Sequence, residues 1–192
     1  MGRATQQRTL KTRAQLIAAA RKIVADAGYE ALRVEDVVAA ATVAKGTFFA
    51  HFKDKDALMD ILIGDHIDAL LDDMEKTSRV TSVDDLIAIT KPLLHFISSE
   101  RYIFDVFLRL SGALAVEDIG KIATTLYRHD RILVGLMADS PFRKDISTDL
   151  LSEGIQSFCI NAVALSFCVL HRGQDVESRL SVYLDAWLCP KC

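Results

Sequence analysis

The 192-residue chain has only three prolines and four cysteines, and it contains no long run free of polar residues. Four cysteines in a chain of this length do not make a disulfide scaffold. Residues 154–171 form the longest uncharged run, but Gln156, Ser157, Asn161 and Ser166 interrupt it. That run is too short and polar to span a bilayer and reads as a buried helix. The opening MGRATQQRTLKTRAQ has no apolar h-region, and Gln6 stands where a myristoylation pattern needs Ser or Thr. These absences predict a cytoplasmic protein in a reducing compartment with no membrane partner. No nucleophile–base–orienter set, paired carboxylates or glycine-rich phosphate loop stands out, so the sequence predicts no enzyme, no cofactor and no metal site.

What is present is apolar material, 51% of residues, enough for a real core and against disorder as the main state. The net charge of -3 argues, as an average, against a polyanionic partner. Its distribution argues the other way. Residues 1–55 hold ten basic groups and five acidic ones, a balance of +5, and the remaining 137 residues carry 13 basic and 21 acidic groups, a balance of -8. A basic head on an acidic body suggests that one part meets a polyanion.

Helical periodicity dominates, and nothing reads as a strand pair or an internal repeat. Residues 9–27 space Leu10, Ala14, Ile17, Ala18, Ile23 and Val24 at helical intervals, with Gly28 as C-cap. Short helices are expected over 34–41 and 45–51. With only Thr42, Val43 and Ala44 between them, they must cross steeply. Asp54 reads as the N-cap of a long helix to about Lys76, and Ser82 with Asp85 as a capping box. Ser99 reads as the cap of the next helix. Further helices are expected over 100–114, 117–139, 147–171 and 175–188, with breaks near Gly112, Pro141 and Gly173. The fold class is therefore all-α.

A helix-turn-helix that reads DNA needs a supporting helix, a tight turn and a second helix whose first residues can enter the major groove. Residues 34–51 meet these needs. Val34, Val37, Val38, Ala41, Val43 and Phe48 would pack inward, and Ala44, Lys45, Thr47, Ala50 and His51 would face out. Residues 12–58 resemble the DNA-binding domain of the tetracycline-repressor (TetR) family of transcription regulators. The resemblance is carried by Thr12-Arg13, Ala18-Ala19-Ala20, Ala27-Gly28-Tyr29, Val34, Asp36-Val37, the run Val43 to Phe52, Lys55 and Ala57-Leu58. It implies that Lys45 and Thr47 reach base edges or phosphates and that His51 and Lys55 bind phosphate. Arg33, Ala44 and Phe49 complete the expected DNA surface. Three departures stand out: Phe49 where the family has Tyr, Thr42 where it has a turn glycine, and Arg33 where it prefers a Ser or Thr N-cap.

The resemblance also implies a division into a DNA-binding domain over 1–55 and a helical ligand-binding and dimerisation domain over 56–192. The implied partners are a palindromic operator in double-stranded DNA, a small-molecule effector and a second copy of the chain. Large groups on successive helices, Phe96, Phe104, Phe107, Leu108, Tyr127, Met137 and Phe158, are the expected pocket wall, with His95, Arg109 and His129 as polar anchors. The helix over 147–171 is apolar nearly all round and must be covered on every side. With the last helix it supplies an expected dimer face of Phe158, Ala162, Leu165, Val169, Leu180, Tyr183 and Trp187. Two rival readings remain open at this point. One is an all-α sensor or carrier whose helix-turn-helix no longer binds DNA. The other is a thiol or metal sensor built on Cys189-Pro190-Lys191-Cys192, with Cys159 and Cys168 upstream.

Overall fold

The computed structural model describes residues 2–111, 119–171 and 173–189, the side chains of residues 2–5 excepted. The expected break at Gly112, the first residues of the helix expected from 117, and Cys192 lie outside the described residues. Among the described residues there is no strand. The chain forms α1 (Gly2–Ala27), α2 (Val34–Ala40), α3 (Lys45–Phe49), α4 (Lys55–Met74), α5 (Val83–Ser99), α6 (Arg101–Leu110), α7 (Lys121–Ala138), α8 (Thr148–Ser166) and α9 (Val176–Leu188). A 3-10 turn over Val169–His171 follows α8, which is shorter than the sequence predicts.

Local chemistry sets most boundaries. Gly28 ends α1 at φ 85, a left-handed conformation that glycine adopts without steric cost. Asp54 caps α4 by accepting from Ala57 N at 2.8 Å, and Ser82 with Asp85 forms a reciprocal capping box on α5. The expectation for Ser99 fails. Its hydroxyl donates back to Phe96 O at 2.8 Å, and Glu100 takes the N-cap position of α6 without capping it.

The buried face of α1 also differs from the expected stripe. Leu16 and Ala20 are fully buried and Ile17, Ile23 and Val24 half-buried, whereas Leu10, Ala14 and Ala18 are exposed. The helix begins seven residues earlier than its periodicity indicates, so its first turns extend past the elements that could cover Leu10. In α4, Leu58, Leu62, Ile67, Leu71 and Met74 are buried as expected, joined by Met59 and Ile63.

One continuous core runs from Leu16 in α1 to Leu188 in α9. The helices α1 to α3 sit at one end of it, and α4 joins them to a body in which α7 packs on both α4 and α8, and α9 on α5 and α8. Gly64 lets α4 and α7 approach closely, since a Cβ there would lie 2.4 Å from Lys121 Cγ and 3.1 Å from Ile122 N.

Candidate DNA-binding surface and effector site

The turn between α2 and α3 is held by backbone bonds from Thr42 N to Ala39 O at 3.1 Å and from Val43 N to Val38 O at 3.0 Å. Thr42 carries φ 56, so a β-branched residue occupies the left-handed position that favours glycine. Below the turn, Val37, Val38, Phe48 and Phe52 are buried, with the two phenyl rings 5.2 Å apart. Ala44, Lys45, Gly46, Phe49 and Ala50 are exposed above it, and Thr47 and His51 are half-buried. Phe49, half exposed, sets its ring edge-on to Phe48 at 5.3 Å. Arg33 is exposed at the start of α2 and gives no side-chain cap.

Of the expected DNA contacts, Arg33, Ala44, Lys45 and Phe49 are exposed, Thr47 and His51 are half-buried, and Lys55 is turned toward α6. Lys45 Nζ lies 2.6 Å from Glu35 Oε1, and the ammonium beside it holds that carboxyl below its usual range. Sequence reading missed Glu35, one helix away on the same surface. Arg13 donates to His51 O at 2.6 Å and stacks on Phe52 at 4.4 Å, clamping α1 to the end of the recognition helix. Lys55 points its ammonium over the Tyr102 ring at 4.6 Å, toward α6.

Polar contacts tie this module to the body. The Glu100 carboxylate accepts from Tyr29 N at 3.2 Å and Glu30 N at 3.1 Å, closing the loop after α1. A Cβ on Gly28 would meet Glu100 Oε1 at 3.0 Å. Arg21 pairs with Asp65 at 2.7 Å, and Asp56 accepts from Arg109 at 2.9 Å. Farther along α4, Asp60 accepts from Lys121 N at 2.6 Å and Ile122 N at 2.9 Å, capping α7 from another helix. Lys121 and Arg128 of α7 then pair with Asp68, and Arg128 also bonds Asp72 at 2.7 Å and Glu75 at 2.6 Å. The Lys121 ammonium, with help from Arg128, holds the Asp68 carboxyl below its usual range. Arg109, an expected anchor for a ligand, is therefore spent on α4, and His95 is exposed beside Glu177 at 3.1 Å.

In the body, the expected pocket wall is dispersed. Tyr127 is 68% exposed, Phe158 packs outward with Tyr183 and Trp187, and Phe96 stacks on His66 at 3.9 Å. Phe104 stacks on Phe167 at 5.7 Å, Met137 is fully buried and Leu108 half-buried, yet none of these faces the interior space described next. Of the seven, Phe107 does. It lines a small gap of about 20 Å³ with Thr90, Leu94, Leu126, His129 and Cys159 among its neighbours. His129 is buried with Nε2 unpartnered, and burial pushes its pKa down to about 4. Burial likewise pushes the Cys159 thiol up to about 12.

Wider openings exist at the surface. One of about 560 Å³ lies between the end of α4 and α7, and another of about 420 Å³ between α1 and α4. The basic groups in their walls, Arg128 and Arg131 in the first and Arg21 in the second, already have carboxylate partners within the chain. The interior gap differs in offering an unsatisfied polar atom.

On the outer side of α8 and α9, Phe158 lies 5.3 Å from Tyr183 and 6.0 Å from Trp187, ring centre to ring centre. Leu165 is half-buried, and Leu150, Val169, Leu170 and Val182 are exposed. Ala162 and Leu180, expected on the dimer face, are instead fully buried against their own chain. Helical pattern alone did not separate the inner face of an all-round apolar helix from its outer one. Cys159 is buried, Cys189 exposed, and Cys168 has its sulfur 3.2 Å from His171 Nδ1. Among the described residues no group of three or more metal-ligating side chains converges.

An exposed helix-turn-helix on an all-helical body is the build of a DNA-binding transcription regulator. Residues 16–61, which span α1 to the start of α4, match the family model of bacterial regulatory proteins, tetR family. No curated protein sequence matches the chain. Among solved structures, the complex of RolR with resorcinol is 18% identical at a TM-score of 0.66, covering 96% of this chain and 90% of the other. Thermus thermophilus FadR in complex with lauroyl-CoA is 16% identical at 0.62, covering 91% and 92%. Bacillus subtilis FadR in complex with stearoyl-CoA is 18% identical at 0.58, covering 93% and 99%. At these identities the likeness is one of fold.

Proposed function

We propose that the chain is a one-component regulator, a repressor that binds a palindromic operator as a homodimer and is released by a small organic effector. The observation that carries this reading is the surface around α3. Lys45, Phe49 and Ala50 are exposed and Thr47 and His51 half-buried over a packed Phe48, and Arg33 and Lys53 nearby have no ion-pair partner among the described residues. Phosphate contacts from such groups position a module, while few side chains read bases.

The remaining parts have support of different kinds. The aromatic face of Phe158, Tyr183 and Trp187, with exposed Leu150 and Val182, suits a second copy related by a two-fold axis. Complexes of similar folds with acyl-CoA thioesters or resorcinol support an organic effector in the body. The interior gap among α5 to α8 is the place we assign to it. Contacts from Glu100 and Tyr102 to the module, and from Arg109 to Asp56 at the start of α4, give a shift in α6 a route to the recognition helices. An effector that favours one spacing of the two recognition helices would then change operator affinity by population shift.

The test is an anisotropy titration of the protein with duplex fragments from upstream of its own gene. Saturable binding that weakens steeply with salt is expected. Absence of saturable binding at low salt refutes the reading. Lys45→Ala should lower affinity and, where the ammonium meets a phosphate, reduce the salt slope by about one.

A further inference from the structure

The interior gap is lined by Thr90, Phe107, Gln156, Cys159 and aliphatic groups around His129, and its wall holds no Lys, Arg, Asp or Glu. Two of its polar groups are already used. Thr90 donates its hydroxyl proton to Leu86 O at 2.7 Å, and Gln156 donates from Nε2 to Leu126 O at 3.3 Å. His129 is different: the residue borders the gap, and its buried Nε2 has no hydrogen-bond partner. An unsatisfied buried polar atom costs free energy that a partner arriving from outside would recover.

We infer that the effector of this protein is an uncharged, mainly apolar molecule bearing a hydroxyl group, which His129 Nε2 receives. This deepens the effector-site reading given above and rests on it.

The class follows from what each alternative would require. Burial holds the imidazole neutral at physiological pH. A neutral imidazole nitrogen is a donor in one tautomer and an acceptor in the other, and a hydroxyl can be either, so it fits both. A carboxylate would shed its water into a wall without a cation, or draw a proton onto an imidazole that burial keeps neutral. A pure hydrocarbon would gain from the aliphatic wall but leave Nε2 as it stands. A gap of about 20 Å³ holds about one water. It must widen for a larger guest, and the aliphatic side chains that line it and would have to give way are Leu93, Leu94, Ile97, Leu126 and Ile160.

The experiment is a calorimetric titration of the full-length protein with three probes of matched shape, 4-ethylphenol, ethylbenzene and 4-ethylbenzoate, repeated on His129→Phe. The wild type should bind the phenol about tenfold more tightly than the hydrocarbon, the worth of one hydrogen bond, and the benzoate weakest. In His129→Phe the preference for the phenol should vanish while the hydrocarbon still binds. In the wild type, the ¹⁵N resonance of His129 Nε2 should move on adding the phenol and stay put with ethylbenzene, a readout independent of how the variant folds. Tighter binding of the benzoate, no binding of any probe, an unchanged preference in His129→Phe, or an unmoved Nε2 resonance would each overturn the inference. None of these outcomes touches DNA binding, so a failure of the regulator reading shows separately, in the operator titration.

Discussion

The two ends of this molecule treat their cations in opposite ways. In the body, Lys76, Lys91, Arg101, Arg109, Lys121, Arg128, Arg131 and Arg143 each face a carboxylate of the same chain. In the first 55 residues, Arg21 pairs with Asp65 and Lys45 with an exposed Glu35, but Arg8, Lys11, Lys22, Arg33 and Lys53 have no ion-pair partner among the described residues. The difference explains why net charge misleads here. The body's excess of acids survives this pairing, but it belongs to another part of the chain than the head, whose own balance is +5. The positive head is left with water and counterions, which a polyanion displaces at little cost.

Four substitutions bear on this contrast, in falling order of expected effect. Phe48→Ala removes the ring on which the module's small core closes and should cost about 3–5 kcal/mol in urea unfolding, with loss of operator binding. Retained binding would mean that the recognition surface does not depend on that core. The second concerns His129, whose folded pKa lies near 4 against 6.5 for the free side chain. Between those values the unfolded chain holds the proton and the folded chain does not, so stability falls as pH drops through that window. From pH 7 to pH 5 the loss due to His129 should be about 2 kcal/mol, and urea unfolding of His129→Phe should show a flatter profile by that amount.

Third, Glu100→Ala leaves the N–H groups of Tyr29 and Glu30 without their acceptor and should cost about 1–2 kcal/mol. It should also weaken the effector's influence on DNA affinity more than the affinity itself, measured by repeating the operator titration with effector present. An unchanged response would remove Glu100 from the route between the two ends. Last and smallest, Thr42→Gly relieves a left-handed β-branched residue and should stabilise the fold by about 1 kcal/mol, read as a rise in Tm. Equal or lower stability would show that the Thr42 side chain contributes something that offsets its strain.

The module was the more legible end because its determinants are local. Gly28, Asp54 and the alternation of Val37, Val38 and Phe48 act within a few residues, and capping and short-range packing can be read from such neighbours. Thr42 was visible as a departure, and its φ of 56 shows that the backbone kept the turn rather than the residue's preference. Glu35 was missed because its partner Lys45 lies across a turn. The body was legible as helices but not as a site. Whether Tyr127 or Phe107 faces inward depends on how α7 and α6 rotate against neighbours far away in sequence, and both positions fit an apolar pattern. Ala162 and Leu180 failed as interface residues for the same reason. His129 could be named as an anchor, yet its isolation from any partner is a tertiary fact. So is Glu100, which lies 71 residues from Tyr29.

The contacts along α4 carry a mechanical consequence. Asp60, Asp68, Asp72 and Glu75 fasten it to α7 at points spread over fifteen residues, about 22 Å of helix. Two rods bolted at several stations bend and slide as one, so α4 and α7 make a single beam, and its near end is the start of the strut that carries the recognition helices. A guest that pushes on α7 moves that strut as a rigid lever. One that pushes on α6 instead pulls on the Glu100 tether while the beam stays where it is. The wall of the interior gap includes Phe107 of α6 and His129 of α7, so under the proposed function the place of a guest between those two would decide which of the levers it works.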